Sequence, residues 1–269
     1  MNRNALIQHM RTKKSALCVG LDPDLNKIPK HLLEQADAIF EFNKAIIDAT
    51  APYCVAFKPN TAFYEAYGIT GMESLDNTMH YLHANYPDHF LIADAKRGDI
   101  GNTGEMYAQA FFNKWNAHAV TVSPYMGKDS VQPFLSHPNK WAVVLGLTSN
   151  AGAQDVQMLK TTNGPLYLEV MKAVASWGST ENLMFVTGAT QLEQLKAIRK
   201  QFPHHFFLIP GIGAQGGSVK DLWTHVATSD IGILLNASRS ILYASADTDF
   251  ADAAAQEARK LQQSMSIYF

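Results

Sequence analysis

Two carboxylates and a lysine, Asp94, Lys96 and Asp99, crowd into LIADAKRGDIGNTG (91–104) directly after an apolar run, where a folded chain rarely gathers charge. Residues at i and i+2 on a strand share a face, so Asp94 and Lys96 can both point to the same side of their strand. A second lysine, Lys58, closes another apolar run, YCVAFK (53–58). Two ammonium groups interleaved with carboxylates form a network in which each charge is paired, and removing one member leaves a partly buried charge uncompensated. The chemistry open to such an array is electrostatic and acid–base. A salt-bridge cluster serving only structure is the plainer alternative, but such clusters seldom place two lysines on adjacent strand ends.

A second constellation reads as a phosphate site. PGIGAQGG (210–217) places Gly211, Gly213, Gly216 and Gly217 just before a helical segment. Glycines let backbone amides approach a ligand closely, and a helix N-terminus favours an anion. Arg239 adds a side chain suited to bidentate contact with phosphate. The ten histidines show no ligand spacing with cysteine or carboxylate, and no metal site emerges.

These residues need a scaffold that brings distant strand ends together. Eight short apolar runs supply candidate strands: 15–21, 53–58, 90–95, 119–123, 141–147, 183–187, 206–210 and 231–236. Segments with helical spacing lie between and after them: 32–49, 72–85, 103–114, 128–135, 165–177, 189–200, 217–226 and 249–264. Alternating β and α eight times, with strands apolar almost throughout, predicts a single-domain α/β fold over residues 1–269, a (β/α)8 TIM barrel. The alternative, an open doubly wound sheet, more often carries a glycine-rich turn after its first strand; here that turn reads GLDPD. In a barrel the active site forms at the carboxyl ends of the strands. Those ends hold Asp22 and Asp24, Lys58 and Asn60, Asp94 and Lys96, Thr148 and Ser149, Pro210, and then Asn236, Ser238 and Arg239. The segment 148–165 after the fifth strand is long enough to predict a functional loop.

Composition excludes several classes. Twenty-two Lys plus Arg against 24 Asp plus Glu gives a net charge of −2, so no global field draws the chain to nucleic acid or an acidic membrane. The short cluster Arg11, Lys13 and Lys14 reads as a solvated loop. Cys18 and Cys54 each sit in an apolar run, as buried reduced thiols do. No run of 18 apolar residues appears, and MNRNALIQHMRTKK lacks the pattern of a secretion signal. The expectation is a cytoplasmic protein.

DAKRGDIGNT resembles the signature of the orotidine 5′-phosphate decarboxylase family, Asp-x-Lys-x-x-Asp. FKPNTAFYE (57–65) resembles the strand-2 segment of the family's longer bacterial branch, PGIGAQGG its phosphate loop, and NASRSILYA (236–244) its strand-8 arginine segment. The resemblance implies cofactor-free decarboxylation of orotidine 5′-monophosphate (OMP) to UMP in pyrimidine synthesis. It implies Asp22 and Lys58 at the ribose, Asp94 against the substrate carboxylate, and Lys96 delivering a proton to C6. It further implies Ser149 at the pyrimidine edge, although Thr148 offers a second hydroxyl, and Gln215, Gly216 and Arg239 at the phosphate, with Pro210 among the substrate-binding residues. Asp99, Ile100 and Thr103 would enter the neighbouring subunit's site, making a homodimer. Gly104 stands where alanine is usual in the signature. Losing CO2 from a pyrimidine C6 leaves an in-plane carbanion without an electron sink, so stabilisation must come from a preorganised charge, the role implied for Lys96.

Two alternatives compete. Metal-dependent sugar-phosphate relatives share the motif but hold magnesium with a carboxylate at the end of strand 2, where this sequence has Lys58. A phosphate-binding barrel that has lost its chemistry would be expected to have lost one of the four charged residues Lys58, Asp94, Lys96 and Asp99, and none is missing.

Overall fold

A computed structural model of the chain describes residues 1–188, 192–212 and 218–269. Its strands are β1 (Leu17–Leu21), β2 (Ala56–Pro59), β3 (Phe90–Arg97), β4 (Ala119–Val122), β5 (Trp141–Leu145), β6 (Leu183–Val186), β7 (Phe206–Pro210) and β8 (Ile233–Ala237). Each pairs in parallel with its sequence neighbours, and β8 returns to pair with β1, with Leu17 opposite Leu235, so the sheet closes. Seven of the eight strands lie within a residue or two of the apolar runs at both ends. β2 starts three residues later, because Tyr53 to Val55 form the approach to the strand.

Strands such as LCVGL and LMFV are buried along their whole length, because one face fills the barrel and the other lies under helices. Those helices span Ala38–Thr50, Gly68–Asn85, Gly101–Gln109, Lys128–Leu135, Leu166–Ala175, Leu192–Gln201, Val219–His225 and Phe250–Ser266. The expected helix over 32–49 begins only at Ala38, where the Asp37 side chain caps it by accepting from the Phe40 N–H; a separate 3-10 turn covers Lys30–Glu34. The expected helix over 103–114 ends at Gln109 and continues as a π-turn, Ala110–Lys114. The long segment after β5 is ordered by one helical turn, Ala153–Val156, and a small hairpin pairing Lys160–Thr161 with Gly164–Pro165.

The basic cluster near the start is not a loop. Arg11 and Lys13 occupy the last turn of a helix, Arg3–Lys13, capped by Asn2 and buried along Leu6, Ile7 and Met10. Lys14 ends it in the left-handed conformation, at φ 47°. Further along the same end of the barrel, the Arg199 guanidinium donates to the carbonyls of Val226, Phe202, His205 and Gly232 at 2.7–2.9 Å and lies over the Phe207 ring. These groups sit at the amino ends of the strands, the face that serves stability.

Three histidines, one buried and two partly buried, give a pH dependence. Burial lowers His89 and His205 to about 4 and His118 to about 3. The folded state keeps them neutral while the unfolded chain takes up protons below about pH 6.5, so their contribution is fully present above that value and lost as pH falls toward 4. At pH 5 each is expected to cost about 2 kcal/mol. Thermal melts at pH 7.5 and 5.0 are expected to show a marked fall in Tm at the lower pH; equal Tm values would contradict this account.

Candidate active site

Asp94 is the hub at the carboxyl ends of the strands. Its Oδ2 accepts from Lys58 Nζ at 2.7 Å, and its Oδ1 accepts from Lys96 Nζ at 2.6 Å and from Thr121 Oγ1 at 2.9 Å. Burial alone would raise the Asp94 carboxyl, but the two ammonium groups outweigh it and hold the carboxyl well below the usual carboxylate range. Burial likewise works against the Lys58 ammonium, yet Asp94 and then Asp22 keep it charged and raise it above its ordinary value. Lys58 and Asp94 are buried, whereas the Lys96 side chain is 51% exposed, free to meet a ligand.

The strand-face argument reaches the right pair by a different route. Between β3 and β4 the register slips: Ala93 pairs with Val120 and Arg97 with Val122, so Asp94, Ala95 and Lys96 all stand opposite Thr121. Lys96 takes a left-handed conformation, φ 48°, within this bulge. Bulges beside active sites re-aim side chains, and here the bulge turns Lys96 back onto Asp94. Arg97 anchors the far side through an ion pair to Glu65, with its guanidinium 5.4 Å from the Tyr107 ring centroid.

The other strand ends close around this hub. Gly20 on β1 lies so near Ser238 that any side chain there would overlap the serine. Tyr243 Oη donates to the Asp22 carbonyl at 2.7 Å and accepts from the Asp24 N–H at 2.9 Å, which fixes the turn after β1. Asp22 Oδ1 and Asn236 Oδ1 are buried with no partner among the described residues, two acceptors left for O–H or N–H donors. After β5, Thr148 is fully engaged: its hydroxyl donates to Asn150 Oδ1 and accepts from Gln157 Nε2, and its N–H donates to Gln157 Oε1. Among the described residues Ser149 has no such tie, and it lines the opening between the strand ends. Cys18, beneath the hub, is pushed up to about 12 by burial, so it remains an inert thiol.

A cavity of about 240 Å³ is lined by Asp22, Lys58, Asp94, Ser149, Pro210 and Arg239 among others. A second, of about 250 Å³, adds Lys96 and Thr121 and shares Lys58, Asp94, Ser149 and Pro210 with the first. A larger hollow, about 660 Å³, lies beside the helix Gly68–Asn85; its lining holds Asp37 and Glu73 and no cation, the wrong sign for a phosphate ligand.

The strand ends therefore bring together Asp22, Lys58, Asp94, Lys96, Ser149, Pro210 and Arg239. Gln215 and Gly216 lie outside the described residues. Asp99, Ile100 and Thr103 line neither cavity: Asp99 is half-buried and its Oδ1 accepts from the Ile100 N–H at 2.8 Å, while Ile100 and Thr103 are exposed. A Cβ at Gly104 would collide with the Asp99 carbonyl, so the glycine permits this turn's tight return. The reading of strand ends missed Thr121, which sits inside AVTVS as an ordinary β-branched strand residue.

Residues 15–254 match the sequence model of the orotidine 5′-phosphate decarboxylase / HUMPS family. The chain belongs to that family. It is 56% identical over 266 residues to the orotidine 5′-phosphate decarboxylase of Flavobacterium johnsoniae, covering 99% of this chain and 97% of the relative. To that of Phocaeicola vulgatus it is 53% identical over 266 residues, covering 98% of both. Among solved structures, Leishmania donovani OMP decarboxylase superposes with a TM-score of 0.81 at 36% identity, covering 98% of this chain and 99% of that one. The UMP synthase of the same organism also superposes at 0.81, with 39% identity; the match spans 96% of this chain and 56% of that longer protein. The family assignment agrees with the motif carrying Asp94, Lys96 and Asp99, and with the closed eight-stranded barrel beneath it.

Proposed function

We propose that this chain, acting over residues 1–269 as one barrel domain, is a cytoplasmic, cofactor-independent decarboxylase that converts OMP to UMP. The observation that carries the reading is the Lys58–Asp94–Lys96 array, with contacts of 2.7 and 2.6 Å; its Lys58 and Asp94 line both the cavity that holds Arg239 and the second cavity that holds Lys96. In this reading Arg239, with Gln215 and Gly216, takes the 5′-phosphate, and Asp22 and Lys58 take the ribose. Ser149 meets the pyrimidine, since the Thr148 hydroxyl is already engaged. Asp94 lies against the substrate carboxylate. The C6–carboxylate bond breaks, its electron pair stays on C6 as CO2 leaves, and the Lys96 ammonium transfers a proton to that carbon. A fixed cation at the developing charge lowers the barrier without reorganisation, and the phosphate contacts supply binding energy remote from the reacting carbon.

Asp99, Ile100 and Thr103 serve the site of a second subunit. Ile100 is 49% exposed and Met106 63%, and the neighbouring turn after β4 exposes Tyr125 and Met126, an apolar surface suited to burial against another copy of this chain. Among the described residues no helix is long and apolar enough to cross a membrane, which agrees with a cytoplasmic role.

The test is conversion of OMP to UMP by the purified chain after exhaustive EDTA treatment. Full turnover is the expected result. A strict requirement for magnesium would assign the chain to the metal-dependent chemistry of the motif instead.

A further inference from the structure

We infer that Thr121 is a positioning residue for decarboxylation, holding the proton donor and its carboxylate partner in one geometry; this rests on the reading of Lys96 and Asp94 given above. Thr121 is the single β4 residue opposite the three-residue bulge Asp94–Lys96. It is 2% exposed, and its hydroxyl is used in both directions. It accepts from the Lys96 backbone N–H at 2.9 Å and donates to Asp94 Oδ1 at 2.9 Å. It also lines the cavity beside Lys96.

The physical consequence follows from the bulge. A non-glycine residue in the left-handed region is disfavoured and persists only where its surroundings fix it. Lys96 sits there at φ 48°, and its N–H, which has lost its place in the strand ladder, finds the Thr121 hydroxyl instead. Because the same hydroxyl then donates to Asp94, the backbone that aims Lys96 and the carboxylate that receives its ammonium are tied at one oxygen. The side chain of Lys96 is long and half-exposed, so without this tie its ammonium has more than one place to go. Small displacements of a reacting group cost rate steeply, about 100-fold for an ångström-scale error.

Thr121→Val keeps the shape and removes the hydroxyl, while Thr121→Ser keeps the hydroxyl. The valine variant is expected to lower kcat for OMP about 10- to 100-fold with KM within about two-fold of the parent, and serine to recover kcat to within about three-fold. Exchange of the UMP C6 proton with deuterated solvent, which requires Lys96 Nζ over that carbon, slows in step with kcat. A hydroxyl serving structure alone would lower Tm and leave both kcat and exchange unchanged, which overturns the proposal. Serine falling as far as valine also overturns it. Should valine prevent folding, Thr121→Ala carries the same expectation. Lys96→Ala run alongside separates the two readings: if it retains parental turnover, the proton-donor assignment fails. An inactive Lys96→Ala beside a fully active Thr121→Val removes the positioning role alone.

Discussion

Lys96→Ala is expected to lower kcat for OMP by about 10⁴-fold or more while UMP still binds within about ten-fold of the parent. Two effects vanish together. A positioned general acid contributes about 10²- to 10⁴-fold, and one preorganised electrostatic contact at the developing charge contributes about 10²- to 10³-fold. They do not simply add, because both belong to one ammonium group, but either alone is large. Binding suffers less, since the contacts assigned to phosphate and ribose come from the ends of β1, β2, β7 and β8 and do not pass through Lys96. Fold is expected to survive as well: the Lys96 side chain is 51% exposed, and Asp94 keeps its buried partner Lys58 at 2.7 Å. Calorimetry with UMP beside a turnover assay checks both halves of the prediction, and a variant that lost binding and turnover equally would contradict it.

The second large effect is on stability. Lys58 and Asp94 have side chains only 6% and 11% exposed, so each depends on the other for compensation. Lys58→Met leaves Asp94 with the half-exposed Lys96 as its remaining cation and is expected to destabilise the fold by about 3–5 kcal/mol, with activity abolished. The double variant Lys58→Met, Asp94→Leu replaces the pair by apolar groups of similar size and is expected to regain most of that loss while remaining inactive. Urea titrations of the two variants and the parent decide it. A double variant no more stable than the single would mean that the site is held by contacts other than this pair. The expected pattern places the array among functional groups retained at a cost in stability.

The barrel was legible because its strands are buried on both faces, so runs such as FFLIP and WAVVLGL need no alternation to be recognised. The ends of elements were less so. Asp37 sets the start of its helix by capping, a side-chain choice that hydrophobic spacing over 32–49 does not report. The opening helix Arg3–Lys13 was hidden by its basic last turn, although Asn2 and the spacing of Leu6, Ile7 and Met10 carried the signal. Within the site, charged residues at strand ends announced themselves by type. Thr121 did not, because a threonine inside AVTVS is ordinary and its role arises only from the register slip opposite Asp94 to Lys96. That slip, and the left-handed Lys96 within it, follows from tertiary pairing between β3 and β4 rather than from local sequence.

The central claim is that Lys96, held beside Asp94, exchanges a proton with C6 of the nucleotide. It is tested most directly by following the C6 proton of UMP by NMR in deuterated buffer with the parent chain and with Lys96→Ala. The predicted result is loss of the C6–H signal with the parent and its persistence with the variant. A signal that persists with the parent, or fades equally with both, would contradict the account.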